Sequence, residues 1–332
     1  MRPNQFYKMK EYSFTEKKDT RSGFGAGMAE LGKTNPNVVA LCADLVASLK
    51  LDAFIKDNPE RFIQCGIAEA NMISVAAGLA ISGYVPYATT FANFGSGRVY
   101  DQIRQSVAYS NSNVKICVSH AGLTLGEDGA THQILEDLAM MRAMPGMTVI
   151  NPCDYNQTKA ATIAIAEYDG PVYLRFGRPV VPVFTVADQQ FEIGKAWMVN
   201  EGKDVSIFAT GHLVWEAIQA GEILAKEGID AEIINIHTIK PLDEEAILKS
   251  VLKTGCAVTA EEHQLNGGLG DAVCQLLSRR LTTPVEMVGV DNSFGESGTP
   301  AQLMEKYGLT AQSIVSKVHA AIKRKEVIEN LI

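Results

Sequence analysis

Arg61-Phe62-Ile63-Gln64-Cys65-Gly66-Ile67-Ala68-Glu69-Ala70-Asn71-Met72 runs straight into Ile73-Ser74-Val75-Ala76-Ala77-Gly78-Leu79-Ala80. A short apolar run ends at a glycine, and a helix of small residues follows. That order reads as strand, turn, helix. The same alternation recurs along the chain. Asn37–Cys42, Val114–Val118, Met147–Ile150 and Pro171–Leu174 are nearly continuous apolar runs, the mark of parallel strands covered on both faces. Helical patterns lie between them at Tyr100–Ser110 and Asn156–Glu167, with Asp154 placed to cap the second. The expected fold is therefore α/β with a parallel sheet.

Gly177–Gly194 breaks the rhythm. Pro179, Pro182 and Asp188-Gln189-Gln190 read as a linker. The alternation then restarts with strands at Asp204–Gly211, Ala231–Ile236, Ala257–Thr259 and Val285–Val290. A second, smaller parallel-sheet α/β domain of four or five strands is expected, and the division falls at 1–185 and 192–332.

The 332 residues leave room for two ordinary domains, and 46% hydrophobic with 20% charged residues describes a globular protein with a large core. A net charge of −8 argues against a nucleic-acid partner. No apolar run reaches the roughly 18 residues of a membrane span. Met1–Thr20 is polar and mixed in charge, without the apolar core of a signal peptide. The six cysteines form no CxxC pair and sit mostly in strand-like runs, so buried reduced thiols and a cytoplasmic home are expected.

Chemistry concentrates in a few places. Glu69 is a carboxylate between a buried strand and a buried helix. It is either satisfied by the amides of its own helix start or held for proton chemistry. Phe91 and Phe94 stand three apart in a glycine-containing loop after a strand. His120 and His132 flank Gly126-Glu127-Asp128-Gly129-Ala130-Thr131. Two histidines with Asp128 between them in one polar loop point to a site. Arg21, Ser48 and Arg175 are distant in sequence. Each alone reads as a surface or structural residue, whereas an arginine pair with a hydroxyl suits phosphate or another anion. Asp44 reads as a strand-end or turn residue. In the second domain, Glu261-Glu262-His263 and Asn266-Gly267-Gly268-Leu269-Gly270 allow a phosphate-cradling loop, but packing is the reading we favour. Asp291–Gly298 is read as a non-catalytic turn.

The Glu69 block, Tyr87–Phe94 and Ser119–Gln133 together resemble the pyrimidine-binding domain of transketolase, a thiamine diphosphate enzyme. Thr20-Arg21, Ala43–Ser48 and Tyr173–Phe176 extend the likeness in order over nearly the whole chain. The resemblance implies that Glu69 shares a proton with the aminopyrimidine of the cofactor, that Phe91 and Phe94 stack on that ring, and that Asp44 lies near it. It implies that Asp128 and His132 sit by the reacting carbons, and that Arg21, Ser48, His120 and Arg175 clamp the phosphate of a sugar phosphate. Many transketolases carry a third aromatic where this chain has Gly97. The Gly-Asp-Gly…Asn-Asn mark of the diphosphate- and metal-binding domain is absent. The chain thus looks like the C-terminal subunit of a split transketolase. A separate N-terminal subunit would hold the diphosphate and a magnesium or calcium ion, in a heterotetramer built by self-association of this chain. 1-Deoxyxylulose-5-phosphate synthase, the β subunit of a 2-oxoacid dehydrogenase and a non-catalytic assembly subunit share parts of the pattern; the two histidines around the acidic loop favour transketolase.

Overall fold

The computed structural model describes residues 9–14, 16–187 and 189–331. Met1–Lys8 and Thr15 of the polar N-terminal segment, Asp188 of the linker and Ile332 lie outside the described residues. The first sheet has seven strands, in the order Thr238–Lys240, Thr148–Ile150, Val172–Arg175, Lys115–Ser119, Val85–Phe91, Val38–Cys42 and Phe62–Gln64. Six are parallel; Thr238–Lys240 is antiparallel to its neighbour.

Both faces of this sheet are covered, which is why its strands lack alternation. One face packs Phe24, Met28, Leu31, Phe54 and Ala161. The other packs Met72, Ile73, Ala76, Val107, Leu138 and Met141. Helices Thr20–Thr34 and Tyr155–Ala164 cross closely because Gly23 has no side chain; a Cβ there would lie 2.3 Å from the Tyr155 carbonyl oxygen. Asp154 caps the second of these helices, accepting from the Gln157 amide at 3.0 Å. The expected Tyr100–Ser110 helix forms one turn over Tyr100–Gln102 and then widens into π-helical turns over Ile103–Ala108.

The second sheet has five strands, Val285–Val290, Ala257–Gln264, Val205–Ala209, Ala231–Asn235 and the antiparallel edge Trp197–Asn200. Three features depart from a simple two-domain reading. Val180–Pro182, inside the expected linker, pairs with Lys17–Asp19. The N-terminal segment reaches the second unit, where Tyr12 Oη donates to the Val199 carbonyl of the edge strand at 2.7 Å and Phe14 meets Trp215 of the helix Leu213–Lys226 edge-on. Thr238–Lys240 leaves the second unit to close the first sheet, and the Asn151 amide donates to the His237 carbonyl at 2.8 Å. Among the described residues the cysteines are free thiols, and no helix is long and apolar enough to cross a membrane.

Candidate active site

Five of the six parallel strands of the first sheet lead at their carboxyl ends into candidate residues. Val38–Cys42 leads to Asp44, Phe62–Gln64 to Glu69, Val85–Phe91 to Phe94, Lys115–Ser119 to His120, and Val172–Arg175 to Arg178. After Phe62–Gln64 the chain crosses back over Val38–Cys42 and winds the other way. Such a reversal leaves a crevice at the carboxyl edge. The backbone is strained along it: Asp44 and His120 both have left-handed φ, 59° and 60°. Non-glycine residues in that region concentrate at functional sites.

Glu69 is the first residue of the helix Glu69–Ile81 and is 4% exposed. Its side chain does not cap its own helix. Instead Oε1 accepts from Arg98 Nη1 at 3.0 Å. Ile67 and Ala70, its apolar sequence neighbours, face outward; Ile67 is 78% exposed. Burial of Glu69 therefore comes from tertiary neighbours and not from the adjoining residues.

The Phe91 and Phe94 rings are 24° from parallel with centroids 6.0 Å apart. His120 lies over Phe91 at 3.8 Å and is bonded through Nδ1 to Ser119 Oγ at 2.7 Å. Burial, reinforced by the charges of Arg21 and Arg178, lowers its pKa to about 3, so the imidazole is neutral. His132 meets the edge of Phe94 at 5.4 Å, with Nδ1 3.0 Å from Thr131 Oγ1. Asp128 is exposed at the loop tip. Gln133 pins that loop, donating to the carbonyls of Leu123, Gly126 and Glu296, and the Thr124 amide donates to buried Glu262 at 2.6 Å. The turn Asp291–Gly298 thus braces the acidic loop.

Arg21 is held through Nε by Asp19 at 3.2 Å and reaches the Ser48 carbonyl at 3.4 Å. Asp44 is exposed, with its amide on Gln64 Oε1 at 2.9 Å. Arg175 does not join this group, which corrects the expectation from sequence. It is buried, ion-paired with Asp137 at 2.8 Å, and donates through Nη2 to the Glu262 carbonyl. Arg178 stands near His120 in its place, donating to the Leu125 carbonyl at 2.6 Å and to Glu127 at 3.1 Å. Sequence reasoning missed Arg178 because Gly177-Arg178-Pro179 fell in the supposed linker. The available signal was a cation directly after a strand. Arg98 was missed too, although it follows Gly97. In the second unit Glu261 occupies the glycine-rich turn, accepting from the amides of Leu269 and Gly270 at 2.7 and 2.8 Å. The site a phosphate would take is filled by a carboxylate, in line with the packing reading.

A buried acid, two aromatic faces and two histidines lie at the carboxyl edge of one sheet, groups of the kind that could hold a flat, nitrogen-containing ring. Comparison agrees with this class. Residues 16–183 match the transketolase pyrimidine-binding domain and residues 194–314 the transketolase C-terminal domain. A putative transketolase C-terminal section from Methanocaldococcus jannaschii is 46% identical over 311 residues, covering 93% of this chain and 98% of that one. A 6-deoxy-6-sulfo-D-fructose transketolase subunit from a Clostridium species is 46% identical over 90% of this chain and 92% of that one. The solved structure of a split-gene transketolase, an inactive β4 tetramer, superposes with a TM-score of 0.88 at 46% identity, covering 92% and 99% of the two chains. The chain belongs to the transketolase family, as a C-terminal subunit of the split type, and thiamine diphosphate is the cofactor of that family.

Proposed function

We propose that this chain forms the pyrimidine-binding half of a thiamine diphosphate site. With a separate N-terminal subunit it moves a two-carbon ketol unit between sugar phosphates. The observation that carries the reading is the buried Glu69 carboxylate at the carboxyl edge of the sheet, joined through the Arg98 guanidinium to the face of Phe94. When bound, the cofactor supplies a nucleophilic carbon. Glu69 would hold the proton that its ring nitrogen needs. Phe91 and Phe94 offer faces for the ring, and Asp44 lies at the same edge. His132 and Asp128 orient hydroxyls and move protons beside the reacting carbons. Arg21, Ser48, His120 and Arg178 form the anion clamp, with Arg178 taking the role expected of Arg175.

Among the described residues no three His, Cys, Asp or Glu side chains converge to hold a metal ion. The reading assigns the magnesium or calcium ion and the diphosphate to the partner. The helix Glu69–Ile81 is apolar yet exposes Ala70, Ser74, Gly78 and Ile81 along one side, and Ile67 just ahead of it is exposed too. A face of that kind suits subunit contact. It supports a heterotetramer in which copies of this chain, residues 1–185 and 192–332 forming its two units, also associate with each other. The buried free thiols suit the cytoplasm.

Reconstitution tests this. The chain alone is expected to bind thiamine diphosphate weakly and to transfer no ketol unit; addition of the N-terminal subunit should restore both. In the complex, Glu69→Gln should lower kcat by about two to four orders of magnitude and slow deuterium exchange at the reactive cofactor carbon, with the fold intact. Tight, magnesium-dependent binding to this chain alone, or native exchange in Glu69→Gln, would overturn the reading.

A further inference from the structure

We propose that Arg98 is a latch on the cofactor pocket: its guanidinium occupies the slot between Glu69 and Phe94, and the cofactor ring must lift it off Glu69 to bind. This rests on the thiamine diphosphate reading above.

Glu69 is 4% exposed, and a buried carboxylate without a partner is costly. Arg98 supplies that partner at 3.0 Å. The same guanidinium lies over the Phe94 ring, 4.1 Å from its centroid, within the range of a cation–π contact. One planar side chain therefore engages both the acid and the aromatic face that a flat aromatic amine would use. The guanidinium and such a ring cannot both hold these two contacts.

The surroundings give the latch somewhere to go. The Arg98 side chain is 49% exposed, whereas Val99 behind it is fully buried and anchors the backbone. Rotation of the side chain thus releases the contact without movement of the loop. Gly97 leaves open space beside it: apart from its chain neighbours Ser96 and Arg98, a Cβ there would find no atom nearer than the Asn93 carbonyl oxygen at 3.8 Å and Met140 Cε at 4.0 Å. A cavity of about 350 Å³ opens at this point, lined by Asn93, Gly97, Ala130, Met140 and Phe294 among others. The missing aromatic at Gly97 is, on this view, the space into which Arg98 swings. The exchange gives Glu69 a new partner as it loses the old one, so the buried acid is paired at both stages. The lone subunit gains a satisfied Glu69 before partner and cofactor arrive, and gives up some cofactor affinity.

The test is calorimetric affinity for thiamine diphosphate, with magnesium, in the two-subunit complex. Arg98→Ala and Arg98→Gln should bind about three- to tenfold more tightly than wild type, because no half-exposed ion pair has to be broken. Arg98→Lys, which keeps the charge, should stay near wild type. Without cofactor, Arg98→Ala should melt at a lower temperature, and cofactor should raise its melting point by more than it raises that of wild type. Equal or weaker binding by both Arg98→Ala and Arg98→Gln, with wild type binding normally, overturns the latch alone. Absence of binding by the wild-type complex overturns the thiamine diphosphate reading and the latch with it.

Discussion

Two arginines three positions apart differ in surroundings, one buried in an ion pair and the other, the proposed anion ligand, partly exposed. Arg175 shares one Asp137 oxygen with Tyr173 Oη and ties the Glu262 backbone to the first sheet. Removing it strands a buried carboxylate, so Arg175→Ala should destabilise the fold by about 3–5 kcal/mol, read as a fall in urea midpoint. Arg178 is partly exposed, beside His120 and the acidic loop. A charge-assisted bond to phosphate contributes roughly 1.5–3 kcal/mol. Arg178→Ala should therefore raise KM for phosphorylated sugars about ten- to a hundredfold, and change KM little for unphosphorylated ones. Equal losses for both substrate types would remove Arg178 from the clamp.

At the scale of elements, the acidic loop Leu123–Gln133 is exposed at its tip and rigid at its base. Gly122 has φ 80°, and a Cβ there would lie 2.2 Å from Glu262 Oε1, the atom that accepts from Thr124. Backbone conformation and carboxylate thus both exclude a side chain. Gly122→Ala should destabilise the protein by about 2–4 kcal/mol and lower kcat as Asp128 and His132 lose their positions. Wild-type stability in this variant would mean that Glu262 does not set the loop. The helix after Gly268 carries a related lesson. Its glycine-rich start allowed two readings from sequence, and Glu261, folded back onto its amides, decides for packing.

Across the whole molecule, burial sets the response to acid. Burial lowers the pKa of His120 to about 3, and those of His212, His237 and His263 to about 4. Unfolded histidines take up protons near pH 6.5, while these remain neutral in the fold until about pH 4. The unfolded state then binds more protons, so stability falls as pH drops from about 6.5 to about 4. Glu261 acts in the opposite sense. Burial raises its pKa to about 7, so its contribution is lost as pH rises from about 4.5 to about 7; four histidines outweigh it. His212 has no hydrogen-bond partner on either ring nitrogen. His212→Gln should reduce the slope of unfolding free energy against pH in the acid window by about one proton. An unchanged slope in urea titrations would refute that assignment.

Local pattern determined a large part of this protein. Continuous apolar runs specified buried parallel strands because each residue there meets a covered face, whichever way it points. The glycine after Phe62–Gln64, the paired phenylalanines and the histidines around Asp128 were legible for the same reason: their spacing is short and their backbone is local. What only the tertiary structure decided depends on residues far apart. Thr238–Lys240 crosses to the other sheet because the free edge of Thr148–Ile150 needs a hydrogen-bonding partner, and no local pattern encodes that pairing. Arg175 and Arg178 look alike in sequence, yet one turns inward to Asp137 and the other toward His120. Arg98 reaches Glu69 across 29 positions. Charge selects such partners, but only folding sets the distance between them.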